Sequence, residues 1–465
     1  MKTNVRAFLA PMAFCTAALI VYAGAFHGDF HYDDSLTILE NPHLSDWHTF
    51  IGHLDHMVRP VLSATFLIDH SLYGANPAGY HVLNLLLHLG SGILVYLIVR
   101  KAVEEWSSSV PLWTASLFLI HPITTETVTY ISGRASGLMA FFFLLALYLY
   151  VEALEQPALL RRICLSGAGA SFLLAIGSKE TAVTLPLILL LWDMVVRRLN
   201  GPALRSAVVS CHSPFWLVLL LAIVWAWSHP RYTALAQFSF GIRPLWDQTL
   251  SQVYAIAYSL VLCFAPWKQN FDHDLPVFHS LSQWPLPLDL FLIVALVAAS
   301  ILSVRRFPVV SFGLSWFLIQ LLPTSVIPRN DLLSERNLYL PSIGFLLACV
   351  ALVSGVTQSM TKKIKPSHLV RFGSAVLATL LAAVLCVFTY QRNLLYQDRL
   401  LLWSDVVVKS PHKARAHNNL GYAYALHDDW GGAIDEFRTA ARLDPDFILA
   451  QQNLRDAYLR HVGRQ

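Results

Sequence analysis

Eleven apolar segments dominate the chain, at 7–26, 81–99, 110–121, 136–153, 163–177, 182–196, 207–228, 285–304, 309–322, 342–358 and 372–390. A helix needs about 20 apolar residues to cross a bilayer, and many of these segments approach that length. Only 13% of residues are charged, against about 25% in a soluble domain. The expected fold class is therefore all-α: a polytopic membrane protein with about eleven spans. The net charge of +4 is too small and too scattered to argue for nucleic acid, and no nucleic-acid partner is expected. All six cysteines fall in or beside apolar runs with no CxxC, so they read as buried small hydrophobes. Lys2 and Arg6 precede the first apolar run as in a signal peptide, with Ala23-Gly24-Ala25 as the weak cleavage candidate. We expect a retained first helix.

Basic clusters follow every second span: Lys2/Arg6, Arg100/Lys101, Arg161/Arg162, Arg197/Arg198, Arg305/Arg306 and Lys362/Lys363/Lys365. The positive-inside rule puts all six in the cytoplasm. The N-terminus is then inside and the C-terminus outside. The apolar stretch 246–266 breaks this parity if it crosses, so it is expected to be re-entrant or interfacial; the alternative is a full crossing with one basic cluster on the wrong side. Segments 27–80, 122–135, 178–181, 229–284 and 323–341 then share the extracytoplasmic face, and with them nearly every acidic residue of interest.

From about Tyr396 the chain becomes polar and helical in pattern. Leu420-Gly421, Tyr424, Ala433, Phe437, Ala440 and Pro445 match one tetratricopeptide unit. Trp403 and Pro411 sit one period earlier, Leu454 and Tyr458 one period later. Such repeats need neighbours to bury their faces, so this short array is expected to pack on the membrane part or to end as a small cap. The expected division is a membrane domain over 1–395, with a first outer loop at 27–80, and a repeat segment over 396–465.

The chemistry-bearing residues lie on the outer side. Asp33 and Asp34 follow the first span directly, a costly place for two carboxylates. A carboxylate within hydrogen-bond reach can take a proton from an attacking hydroxyl, and a carboxylate neighbour raises its proton affinity. The plainer alternative is a helix cap at Asp34-Ser35. Arg59 offers a planar donor fork suited to phosphate, or else snorkels to the surface. Arg134, Lys179 and Arg336, with Glu126, Glu180 and Glu335 beside them, complete a set of four cations on one face. Several cations are what a departing phosphate needs. His81, Asn84 and His88 share one helical stripe and suit interhelical hydrogen bonds better than a metal. Ten of the nineteen histidines fall between His27 and His121, without the spacing of a zinc site. Asp272-His273-Asp274 is a weak divalent-ion candidate, and an exposed acidic loop is the plainer reading.

Taken in order, Asp33-Asp34, Asn41-Pro42, Trp47, Arg59-Pro60, the run Gly79 to His88, His121-Pro122 with Glu126, Gly133-Arg134, Ser178-Lys179-Glu180 and Glu335-Arg336 with Tyr339-Leu340-Pro341 resemble the transmembrane and tetratricopeptide-repeat O-mannosyltransferase-like glycosyltransferases. The likeness is more distant to the protein O-mannosyltransferases. It covers nearly the whole chain, and its specificity rests on the number and order of motifs. It implies a GT-C-type fold. It also implies transfer of a sugar, mannose in the family, from a polyprenyl-phosphate carrier to an extracytoplasmic hydroxyl of a protein, glycan or lipid. The base would be Asp33 assisted by Asp34, with Arg59 facing the carrier phosphate. Metal dependence does not carry over, so a divalent cofactor stays open. Two departures stand out. The family's Gly-Arg-Ala-Asp turn is here Gly133-Arg134-Ala135-Ser136, which removes an acidic contact, and the repeat array is short, which weakens the case for a long peptide groove. The expected partners are the lipid-linked sugar, its acceptor, membrane lipid and a protein docked on the repeats. The expected host is a bacterial inner membrane with the repeats in the periplasm. A lipid-linked-sugar transporter and a non-catalytic repeat scaffold remain as alternatives. The absence of a nucleotide-binding glycine fingerprint agrees with a lipid-linked donor.

Overall fold

The computed structural model describes residues 5–103, 109–363 and 368–462, with side chains over 12–103, 109–359 and 376–462. Lys2 and Lys365 of the predicted basic clusters lie outside the described residues, as do the side chains of Arg6, Lys362 and Lys363. Among the described residues every regular element is a helix. Eight helices are long and apolar enough to cross a membrane: 77–102, 131–153, 158–178, 201–228, 286–303, 308–326, 335–359 and 376–395. Two more predicted spans are shorter apolar helices, Met12–His27 and Ser109–Ile120. The remaining one, 182–196, is helical but interrupted: a 3-10 turn Glu180–Thr184, an α-helix Leu185–Leu191 and a π-turn Trp192–Val196.

Local chemistry explains many helix starts. Proline opens the helices Pro60–Tyr73, Pro77–Ala102, Pro230–Gly241 and Pro308–Val326, where its missing N–H costs nothing and its fixed φ already suits the helix. Asn76 caps the second of these through Ala78 N, and Gly74 ends the first with φ +59°, a conformation that favours glycine. Close helix approach also selects small residues. A Cβ on Gly313 would lie 2.5 Å from Gly344 O, and one on Gly344 the same distance from Gly313 O. The Pro308–Val326 and Tyr339–Lys363 helices therefore cross backbone to backbone, clamped by Trp316 Nε1 donating to Leu340 O at 2.8 Å.

The bundle has two chemically different ends. At one, Lys101 pairs with Glu152 and Glu155 at 3.2 and 2.6 Å. There too Arg197 pairs with Asp193, which in turn meets His212 and Tyr150. At the other end lie Asp33, Arg59, Glu126, Lys179, Glu180 and Arg336. Helix Arg134–Ala153 runs between the two, with Ser136 in its first turn at the second end and Glu152 near its finish at the first.

The stretch 246–266 forms helix Leu245–Phe264, which is not among the eight. Its polar face serves the neighbouring loop: Gln248 and Gln252 donate to Ser325 O and Leu332 O, each at 3.0 Å. Beyond helix His368–Leu395 come Arg399–Lys409, Ala414–Leu426, Trp430–Leu443 and Ile448–Val462. The middle two form the hairpin whose tight crossing needs Gly421, since a Cβ there would sit 2.8 Å from the Phe437 ring. Leu402, Trp403, Val406 and Leu420 pack with Tyr130 and Phe271 in one apolar cluster. The repeat segment is thus seated against the bundle end that carries the charged residues.

Candidate functional site

The site grows from a strained turn. Tyr32 has φ +43°, an unfavourable conformation for a residue with a bulky side chain, and one that surrounding packing must hold. This turn sends the two aspartates in different directions. Asp33 keeps its side chain 41% exposed, with Oδ2 3.8 Å from Arg336 Nη2, and its backbone N–H donates to the Tyr130 hydroxyl at 3.0 Å. Asp34 is fully buried. It accepts from His31 N and Ser132 N, both at 2.8 Å, and from the Ser132 hydroxyl. Burial pushes the Asp34 carboxyl up to about 7 even against those three donors. Only Asp33 can meet a substrate without a rearrangement, whereas Asp34 fastens the turn to the 131–133 segment.

That burial has a measurable consequence. In the folded protein Asp34 holds its proton more tightly than the ordinary carboxyl near 3.8. Its contribution therefore turns against folding as pH rises through about 4 to 7, and is flat beyond. In detergent, the melting temperature of wild type is expected to fall more steeply between pH 4 and 7 than that of Asp34→Asn. Parallel curves would rule out this burial effect.

Glu126 anchors the next wall. It lies on the short helix Thr125–Thr129, fully buried, accepting from Ser334 Oγ at 3.1 Å and Arg336 N at 2.9 Å. Burial raises its carboxyl, and the Arg336 guanidinium, 3.5 Å away, offsets this only in part. The turn 131–133 reaches this helix because Gly133 has no side chain; a Cβ there would lie 2.3 Å from Glu126 O. Arg336 thus stands between Glu126 and Asp33, over the Tyr130 ring.

Lys179 follows the C-terminus of helix Ala158–Ser178. Its Nζ donates to Ser136 Oγ and Asn337 Oδ1, each at 2.7 Å, in a small cavity also lined by Thr181, Gln320 and Arg336. No carboxylate among the described residues pairs with it. Burial, then Arg329 and Arg59 nearby, hold its ammonium well below the ordinary lysine range. Glu180 sits beside it and binds two guanidiniums: Arg59 bidentately at 2.9 to 3.2 Å, and Arg329 Nη2 at 3.0 Å. Burial opposes its ionisation, but the two arginines win and hold it down to about 2. Arg329 is a site residue that the sequence reading missed. Its signal was available: a further cation on the same outer segment as Arg336, in a chain poor in charge.

The other predicted residues fall elsewhere. Arg134 is fully buried and faces inward, not toward the Lys179 cavity. Its guanidinium pairs with Asp69 at 2.5 Å and donates to Asn84 Oδ1 and Tyr80 O at 2.7 and 2.8 Å. Each of its three nitrogens has a partner inside the protein, so its predicted contact with a carrier phosphate is not available. Asn84 supports Arg134 and donates to Val128 O. His81 is buried close by, both ring nitrogens unpartnered. Glu335 is buried too, accepting from Asn270 N and His273 Nε2 at 2.5 and 2.9 Å, with Arg392 at 3.8 Å. It ties the outer 270s segment to the bundle rather than facing a substrate. Asp272 is taken by Lys413 and Arg415, and Asp274 is exposed. Among the described residues no group of three or more His, Cys, Asp and Glu side chains could hold a metal ion.

The fold and this site define a class: an all-α polytopic membrane protein with a cluster of cations and carboxylates at one end, against which a C-terminal helical segment packs. The comparisons agree with the family that the sequence resembles. The chain is 27% identical, over 92% of its length, to a protein O-mannosyl-transferase of Caenorhabditis elegans. It is 26% and 25% identical, over 94% and 89% of its length, to the human protein O-mannosyl-transferases TMTC1 and TMTC4. It spans between 55% and 63% of the length of these relatives. No family model matches the chain.

Proposed function

We propose that the chain is an integral membrane glycosyltransferase that moves mannose from a polyprenyl-phosphate carrier to a hydroxyl on the extracytoplasmic side, of a serine or threonine in an exported protein. We take the host to be a bacterial inner membrane, with recess and repeats facing outward. The observation that carries this reading is the juxtaposition of an exposed carboxylate, Asp33, with Arg336 and the cavity of Lys179, a cation without a carboxylate partner. Its relatives' names agree with the chemistry.

In this mechanism the acceptor oxygen attacks the anomeric carbon as Asp33 takes its proton. The bond from that carbon to the phosphate oxygen breaks, and the carrier leaves as an anion with the bonding pair. Direct displacement inverts the anomeric centre. Arg336 and Lys179 meet the developing negative charge, in a recess where fixed donors act more strongly than in water. Arg59 and Arg329 share one carboxylate between them, which leaves donor capacity for the phosphate. An anion beside Lys179 also favours its ammonium form, reversing the effect of burial.

Transfer from polyprenyl-phosphate mannose to a peptide acceptor, measured for wild type, Asp33→Asn and Arg59→Ala, tests the assignment. Loss in both variants supports it, and equal activity in all three removes it. A second probe is Ser136→Asp, which places a carboxylate against Lys179 Nζ. Its neutralising charge is expected to raise the KM for the lipid donor by about tenfold, or ~1.4 kcal/mol of binding, with the KM for the acceptor peptide unchanged. An unchanged donor KM would remove Lys179 from the phosphate site.

A further inference from the structure

Two loops at the charged end of the bundle carry residues of the candidate site. One is the Tyr32–Asp33 turn, and the other is the segment after Pro328 that carries Arg329. They are not neighbours in sequence, and one side chain from the repeat segment touches both. Arg415, in the first turn of helix Ala414–Leu426, lays its guanidinium 5.6 Å from the centre of the Tyr32 ring. Its Nη2 donates to Asp331 Oδ1 at 2.7 Å, two residues beyond Arg329. Its Nε and Nη2 also grip Asp272, at 2.9 and 2.5 Å. Lys413 reinforces the same pair of aspartates, reaching Asp331 at 3.0 Å.

Both loops need such a tie. The Tyr32 backbone is left-handed, a conformation that persists only where the surroundings hold it. Its ring meets Arg415 and Trp403 of the repeat segment, and Phe271 of the outer 270s segment. The Arg329 loop is gripped from the far side by Arg243, which donates to Arg329 O and Asn330 O at 2.9 and 3.1 Å. From the near side the grip is Asp331 on Lys413 and Arg415. A planar guanidinium stacks flat on a ring while its edge binds carboxylates, a geometry that a lysine ammonium lacks.

We propose that Arg415 is a positioning residue of the recess: the repeat segment uses it to set the Asp33 turn and the Arg329 loop at a fixed separation. The repeats then form part of the working site rather than only an appended docking arm. The kinetic part of this proposal rests on the glycosyltransferase reading, and the structural part does not.

The test uses the full chain in detergent, comparing wild type, Arg415→Ala, Asp331→Asn and Asp272→Asn. Amide hydrogen exchange is the readout that needs no activity. Arg415→Ala is expected to speed exchange in both 31–34 and 329–334. Asp331→Asn should do so in 329–334 alone, and Asp272→Asn, which loosens only the dock of the repeats, in neither. If Arg415→Ala does not fold, Arg415→Lys decides, because it keeps the charge and loses the planar stack on Tyr32: faster exchange in 31–34 supports the proposal, and unchanged exchange there overturns it. Where wild type transfers sugar, Arg415→Ala is expected to lower kcat about tenfold, as a small misplacement of reacting groups does, with little change in the KM for the donor. Unchanged exchange in both segments, or the same pattern from Asp272→Asn, overturns the proposal. Inactive wild type with the expected exchange pattern would count against the glycosyltransferase reading while supporting this one.

Discussion

Asp33→Asn is expected to lower sugar transfer by about 10²–10⁴-fold, the range that a positioned general base contributes, while the protein stays folded. The fold survives because the Asp33 side chain is partly solvent-facing and its ionic contact with Arg336 is loose at 3.8 Å. Asparagine keeps the size and the polar contact and removes only the proton affinity. The turn is held by other atoms: Asp33 N on the Tyr130 hydroxyl, and Asp34 on His31 and Ser132. Initial rates at saturating lipid donor, alongside a melting curve, separate chemistry from folding. A variant within twofold of wild type would dismiss Asp33 as the base.

Arg134→Ala is expected to destabilise the protein by about 3–5 kcal/mol, the usual cost of stripping one partner from a buried ion pair. Asp69 would be left enclosed without its counter-ion, and Asn84 and the Tyr80 carbonyl would lose their donor. Arg59→Ala is the contrast. Its pair with Glu180 is about one-third exposed on both sides, where an ion pair contributes no more than about 1 kcal/mol. It is therefore expected to fold and to lose transfer, whereas Arg134→Ala loses yield and melting temperature. Comparable stabilities for the two would contradict the burial that distinguishes them.

That contrast also marks how far the sequence could be read. Arg59 and Arg134 look alike in the chain: each is a lone arginine on the outer side of an apolar run. Nothing local tells that one meets the recess and the other meets Asp69 from a different helix. The same holds for the aspartate pair. Adjacent residues in a turn have side chains that diverge, but which one is buried depends on Ser132, about a hundred residues downstream. Arg329 escaped notice because its role comes from a carboxylate, Glu180, on another helix. Helices, by contrast, were legible wherever apolar length and proline or asparagine starts coincided, and the C-terminal helical hairpin was visible in its spacing of small and aromatic residues. The interrupted segment 182–196 read as one span because hydropathy is blind to a 3-10 or π turn.

Composition and periodicity, acting alone, determined that this chain must bury its backbone in helices, that its scarce charges gather at helix ends, and which segments those ends share. These follow from local energetics, the cost of an unpaired peptide group or charge in an apolar medium, and so are written in local sequence. Tertiary structure alone decided which charges neutralise each other inside the protein and which stay available in the recess. Ion pairing depends on distances of a few ångströms between segments far apart in the chain, and only packing sets those.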